Sequence, residues 1–118
     1  MSLGVDIIDI ASVKRIISAR TGKYFVRDVF TERELSYIQR KKDPWPHYAT
    51  TFVGKEAVFK ALGTGWRKGK DVEIVRKKDG KPCVVLNNNR KDLDVLLSLS
   101  FNDKSAVAVA LIEKKKKK

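Results

Sequence analysis

The stretch Phe52–Gly65, FVGKEAVFKALGTG, decides how this chain is read. Stepped at about 100° per residue, it is apolar almost all round. Phe52, Val58, Phe59 and Leu62 cover one side, and Val53, Ala57 and Ala61 cover most of the rest. A helix apolar on every face is a buried helix, so this one is expected at the centre of the fold. Glu56 and Lys60 interrupt it, four apart on a narrow strip between Phe52 and Val53. Half-buried charges are costly unless they are paired or bound to something. The spacing permits an intrahelical ion pair. It equally permits a metal-binding carboxylate beside a phosphate-binding ammonium.

Upstream, LGVDIIDI (3–10) has the Ile and Val content of a strand, interrupted by Asp6. ASVKRIISARTG (11–22) reads as an amphipathic helix on Val13, Ile16 and Ile17, with Ser12 as its cap and Gly22 as its end. KYFVRDVF leads into TERELSYIQRKK, where Thr31 and Glu34 have the spacing of a capping box. Pro44 and Pro46 mark DPWPHY (43–48) as a loop, so the central helix is expected from about Tyr48 to the GTG of 63–65. Downstream the period changes. DVEIVRKKDGKPCVVL (71–86) reads as two strands around Lys78-Asp79-Gly80, and NNNRKDLDVLL as a loop with one helical turn. Residues 96–113 read as a last hairpin turning near Asn102–Lys104. Helices early and an antiparallel sheet late make one α+β domain over 1–113, with strand 1 joining that sheet and a basic tail at 114–118.

The 118 residues are 42% hydrophobic, enough for one modest core. Twenty-six Lys and Arg against 14 Asp and Glu give a net charge of +12, which calls for an anionic partner. The five lysines of EKKKKK (113–118) read as a solvated end. A single cysteine, Cys83, excludes an internal disulfide and a cysteine zinc site. Asp6, Asp9 and the missing basic n-region argue against a signal peptide, and no run approaches transmembrane length, so a cytoplasmic location is expected. His47 sits between turn signals and reads as an ordinary loop residue, and Cys83 reads as packing in a strand. GTGWRKGK (63–70) has the Gly and Lys content to approach a phosphate, although helix ends often look the same.

The ordered set carries more than its parts. GVD at 4–6, T-x-x-E at 31–34 and F-x-x-K-E-A-x-x-K-A-x-G-T-G at 52–65 are followed by DGKP (79–82), SLSF (98–101) and AVAVALIE (106–113). Over Gly4 to Glu113 this resembles the holo-acyl-carrier-protein synthases, the short trimeric members of the 4′-phosphopantetheinyl transferase family. The resemblance implies that family's fold, an antiparallel sheet packed on a buried central helix. It also implies transfer of phosphopantetheine from coenzyme A to a serine of apo-acyl carrier protein, with Mg²⁺, releasing adenosine 3′,5′-bisphosphate. Asp6 and Glu56 match the family's metal ligands, and Mg²⁺ favours few carboxylates plus phosphate oxygens and water. Lys60 would contact phosphate or act as the base. Lys55 and the Arg67–Lys68–Lys70 cluster are further phosphate candidates, Gly63 and Gly65 would admit the nucleotide, and Pro82 would lie near the adenine. Lys14, Arg15, Arg20, Lys23 and Arg27 would face the acidic carrier protein, giving steering more than affinity. A homotrimer is implied, with coenzyme A sites between subunits.

The chain departs from the family pattern in three places. Relatives place an arginine six residues after the strand 1 aspartate; Ser12 holds that spacing from Asp6, and Arg15 from Asp9. Asp6 is preferred because it follows Gly4, with Asp9 as the alternative ligand. Thr51 and Phe101 stand where an arginine and a histidine are usual, which implies weaker contacts to coenzyme A. Two other readings compete: a non-catalytic binder of coenzyme A or carrier protein, motivated by Thr51 and Phe101, and a small basic nucleic-acid-binding protein. The last rests on charge alone and gives Glu56 no role.

Overall fold

Helix α4 (Trp45–Leu62) runs through the middle of the molecule and packs on every strand pair. The computed structural model describes residues 1–87 and 90–116. Before α4 come strand β1 (Ser2–Asp9) and helices α1 (Ile10–Ser18), α2 (Gly22–Val29) and α3 (Glu32–Gln39). After it come a 3-10 turn (Gly69–Asp71) and strands β2 (Val72–Arg76), β3 (Pro82–Leu86), β4 (Leu93–Phe101) and β5 (Ser105–Lys114). The strands form two antiparallel sheets, β1-β5-β4 and β2-β3. The expected single late sheet is therefore divided, although strand 1 joins the last hairpin as expected, pairing Ser2 with Ile112 and Asp9 with Ser105.

The face of β1-β5-β4 turned toward α4 is built for close approach. Ala106, Ala108 and Ala110 are buried along β5, and Leu97 and Leu99 of β4 pack beside them. Gly4 comes closest: a Cβ there would lie 1.9 Å from the Ala57 carbonyl oxygen. Only a glycine lets β1 touch the helix backbone at that point. On α4 itself, Val53, Ala57, Val58 and Phe59 are buried, which confirms the all-round apolar reading.

Three local expectations need correction. Ser12 lies inside α1 and caps nothing; the helix begins at Ile10, directly after the strand. Gly22 does not end a helix but opens α2; a side chain there would strike the Ile17 carbonyl at 1.8 Å, so the close turn between α1 and α2 requires glycine. The segment left unassigned, KYFVRDVF, is that second helix. Finally, α4 starts at Trp45 rather than near Tyr48: Pro46 sits in its first turn, where no intrahelical N–H is required. The Thr31–Glu34 capping box, the Gly80 turn and the Asn102–Lys104 turn form as expected. Leu93 already lies in β4, and the loop expected around it falls partly outside the described residues.

Candidate active site

Alternation along β1 sets the site. Gly4, Asp6 and Ile8 point toward α4, while Leu3, Val5 and Ile7 point away and are exposed. With Gly4 fixed against Ala57, Asp6 falls opposite the next turn of α4. There Lys60 Nζ donates to Asp6 Oδ1 at 3.0 Å and to the Val5 carbonyl at 3.2 Å. Among the described residues Lys60 makes no ion pair with Glu56, so the intrahelical pairing gives way to one across elements. Asp9 closes the strand, exposed, at the head of α1 and apart from this group.

Glu56 is half-buried, and its carboxyl is pushed above the ordinary range. Burial is the main cause, the Asp6 carboxylate adds to it, and Lys60 partly offsets both. Two carboxylates close enough to repel, with one ammonium between them, leave negative charge in want of a cation. Among the described residues no three His, Cys, Asp or Glu side chains gather as a metal cage. Such a pair suits Mg²⁺, which takes its remaining ligands from water and phosphate, better than Zn²⁺.

Past Lys60 the helix ends at Gly63, left-handed at φ 75°, whose N–H donates to the Lys60 carbonyl. Gly63 and Gly65 are exposed, with positive φ and open space where a Cβ would stand. Backbone there is accessible to a ligand. Phe52 and Phe59 carry Trp66 on their rings at 5.4 and 5.0 Å, which seats the start of the 66–70 loop. Pro82 begins β3 and lines a groove of about 630 Å³ with Lys77, Lys81, Cys83 and Leu97; neither Asp6, Glu56 nor Lys60 reaches it.

Lys55 is the clear correction. Its side chain is wholly buried, turned into the core rather than toward the site. The ammonium pairs with Glu34 at 2.6 Å and donates to the carbonyls of Val29 and Gly69. A lysine with every proton engaged in the core cannot hold a phosphate. Glu34 in turn accepts the N–H groups of Thr31 and Ile74. Sequence showed Glu34 only as a capping residue; a carboxylate committed to a cap at the edge of an apolar stripe was its one signal. Thr51 is also buried, at 3% exposure, whereas Phe101 is 48% exposed at the end of β4.

The basic residues assigned to a partner lie at the surface. Lys14 and Arg15 are on α1, Arg20 follows it, and Lys23 and Arg27 are on α2. Lys23 and Arg27 flank the half-exposed Tyr24 ring, each 5.1 Å from its centroid. The spacing of KYFVR carried that arrangement once the segment is helical.

Known proteins resemble this chain in sequence and in fold. The profile of the 4′-phosphopantetheinyl transferase superfamily matches residues 2–111. A holo-[acyl-carrier-protein] synthase of Clostridium perfringens is 41% identical, over 96% of this chain and 93% of the relative. One from Caldanaerobacter subterraneus subsp. tengcongensis is 37% identical, over 92% and 91%. The crystal structure of the Bacillus anthracis synthase in complex with CoA (3′,5′-ADP) superposes with a TM-score of 0.84 at 27% identity, covering 97% of this chain and 96% of that one.

Proposed function

The chain belongs to the 4′-phosphopantetheinyl transferase superfamily, among its holo-[acyl-carrier-protein] synthases, and we propose that it loads apo-acyl carrier protein from coenzyme A through Mg²⁺ held by Asp6 and Glu56. The observation that carries this reading is the meeting of Asp6, Glu56 and Lys60 from β1 and α4 at one open edge of the helix. When bound, Mg²⁺ supplies charge compensation on the pyrophosphate under attack. Asp6 and Glu56 hold that ion. Lys60, steadied by Asp6 and the Val5 carbonyl, offers its remaining proton to a phosphate oxygen as a fixed cation. The incoming serine oxygen bonds to phosphorus as the phosphorus–oxygen bond to the nucleotide breaks, and the serine proton passes to water. Adenosine 3′,5′-bisphosphate leaves. Gly63 and Gly65 present accessible backbone beside the phosphates.

The acidic carrier docks on Lys14, Arg15, Arg20, Lys23 and Arg27. Those side chains are exposed, and their charge steers and orients the encounter. The enzyme works as a homotrimer in the cytoplasm. The outer face of β1-β5-β4 supports assembly: Leu3, Val5, Ile7, Leu96 and Val109 form a contiguous exposed apolar surface. Patches of that kind mark interaction surfaces. No helix among the described residues is long and apolar enough to cross a membrane.

Weighing the carrier by mass spectrometry after incubation with protein, Mg²⁺ and coenzyme A tests the reading. A mass gain of one phosphopantetheine is expected. An unmodified carrier, with binding of coenzyme A retained, would leave only the non-catalytic binder.

A further inference from the structure

The lysine run that reads in sequence as a solvated end does not stand alone in the fold. β5 stops at Lys114, and the Lys115 N–H donates to the Asp92 carbonyl at 2.8 Å, so the run leaves the sheet beside Arg90 and Lys91. Arg90, Lys91, Lys114, Lys115 and Lys116 gather at one end of the molecule, all exposed, and Lys117 and Lys118 follow in sequence. Among the described residues Lys91, Lys114, Lys115 and Lys116 make no ion pair. Arg90 is paired only with Asp92, at 3.3 Å in the open.

Alternation along the strands sorts the charges of this end by face. Lys114 shares the parity of Ala110 and Ile112, which face α4. Glu113 and its strand partner Asp94 share the parity of Leu96 and Leu111, on the outer face. Lys114 therefore stands with Arg90 and Ser2 beside Ala61 and Leu62, and Leu62 is two residues past Lys60 on α4. β1 gives the spacing. Ser2 lies at this end, Asp6 meets Lys60 four residues on, and Ile10 opens α1 four residues beyond that. At about 3.3 Å per residue, the site lies roughly 13 Å from either end of the strand. The cations of α1 and α2 are on one side of it and the lysine group on the other. Four residues of extended chain span at most about 14 Å, which matches the distance from Lys114 to the site.

We propose that the lysines of 114–118, with Arg90 and Lys91, form a second docking surface for the acidic carrier protein, on the far side of the site from α1 and α2. The assignment rests on the transferase reading and deepens it. A serine delivered to Lys60 brings the surrounding carrier surface over both ends of β1. An acidic partner then meets cations on both flanks, which orients it across the site and speeds the encounter. Other anionic partners fit the placement less well. Single-stranded nucleic acid binds where aromatic rings stand among the cations, and residues 90–96 and 111–118 contain none. A membrane drawn to the lysines would lie across the opening through which the carrier must enter.

Lys115→Gln, Lys116→Gln, Lys117→Gln and Lys118→Gln, combined in one variant, test the surface. All four positions lie past the last residue of β5, so the sheet keeps its side chains. KM for apo-acyl carrier protein should rise about threefold to tenfold at low salt. KM for coenzyme A should not move, and the salt dependence of the carrier KM should weaken. Arginine at the same four positions keeps the charge and should keep the carrier KM. A carrier with alanine in place of its acceptor serine reads binding alone, and its Kd should shift by the same factor. Transfer by the unaltered protein with an identical carrier KM in the glutamine variant would overturn the docking surface and leave the transferase standing. Neither transfer nor carrier binding by the unaltered protein would overturn both. An equal rise in KM for carrier and coenzyme A would reduce the effect to net charge and overturn the surface. Vesicles of phosphatidylglycerol and phosphatidylcholine in equal parts supply the last arm. If they sediment the unaltered protein but not the glutamine variant, while the carrier KM of the two is the same, the lysines serve a membrane and the assignment to the carrier fails.

Discussion

Lys55 and Glu34 meet at 2.6 Å with both side chains wholly removed from water. The pair joins α4 to the start of α3, and through the Val29, Gly69 and Ile74 backbone it also ties in α2, the 3-10 turn and β2. Burial pushes the Glu34 carboxyl up and the Lys55 ammonium down, and each is the other's main compensation. A lysine that reads in sequence as a further phosphate candidate is the fastening of the helical half to the small sheet.

Lys55→Met should therefore act on stability. It leaves a buried carboxylate without its counter-ion, held only by the Thr31 and Ile74 N–H groups, and takes the ammonium donor from two carbonyls, which costs about 3–5 kcal/mol. Denaturant unfolding measures the loss. The affinity of the remaining folded protein for coenzyme A should stay within about twofold. A large selective loss of coenzyme A affinity would return Lys55 to the binding site.

Glu56→Gln and Asp6→Asn should each lower transfer by about 10²-fold or more while the fold persists. Thermal melts provide a second readout. Mg²⁺ should raise the melting temperature of the unaltered protein and not that of Glu56→Gln. Without metal, Glu56→Gln should melt higher than the unaltered protein, because a carboxylate disfavoured by burial and by Asp6 has been removed. Asp9→Asn should transfer normally.

Stability should fall on acidification through His47. Its folded pKa lies below the unfolded value, so the unfolded chain takes up the proton first. The histidine's contribution is complete above about pH 6.5 and declines as pH falls from there toward the folded pKa. His47→Phe should flatten that part of the stability–pH curve. An unchanged slope would show that His47 is not held by burial between Lys41 and Arg76.

Ile7→Asp places a charge in the exposed apolar face of β1 and should disperse the proposed trimer. Sedimentation of the variant should give the mass of one chain, with far-UV circular dichroism retained and transfer lost. A variant that sediments like the unaltered protein would locate the interface elsewhere.

Reversal of Lys23 or Arg27 to Glu should raise KM for carrier protein far more than KM for coenzyme A. Added salt should do the same, because exposed charges are screened over about 8–10 Å at physiological ionic strength. Equal effects on both substrates would separate α2 from the carrier.

The α+β class, the buried central helix, the capping box and the two hairpin turns were legible in sequence because each has a local cause. Period, cap spacing and glycine at positive φ act within a few residues. What failed depends on distant atoms. Gly22 reads as a stop, yet it opens α2, and what demands glycine there is the Ile17 carbonyl where a side chain would stand. Pro46 reads as a loop signal, yet the first turn of a helix tolerates it. Asp6, Glu56 and Lys60 were named from their motif, but the partner of Lys60 was settled by a strand 54 residues away. Lys55 and Lys60 look alike in sequence; a rotation of five residues around α4 sends one into the core and the other to the surface.

The pairing of β1 with β5 also sets a schedule for folding. Residues 2–9 precede residues 105–112 in synthesis, yet those residues are their strand partners. During synthesis the strand that carries Asp6 waits without its ladder, with Leu3, Val5 and Ile7 in water, until β5 has left the ribosome. Such long-range closure is slow compared with the local helices. The meeting of Asp6 with Lys60 therefore belongs to a late stage of folding, after β5 has docked.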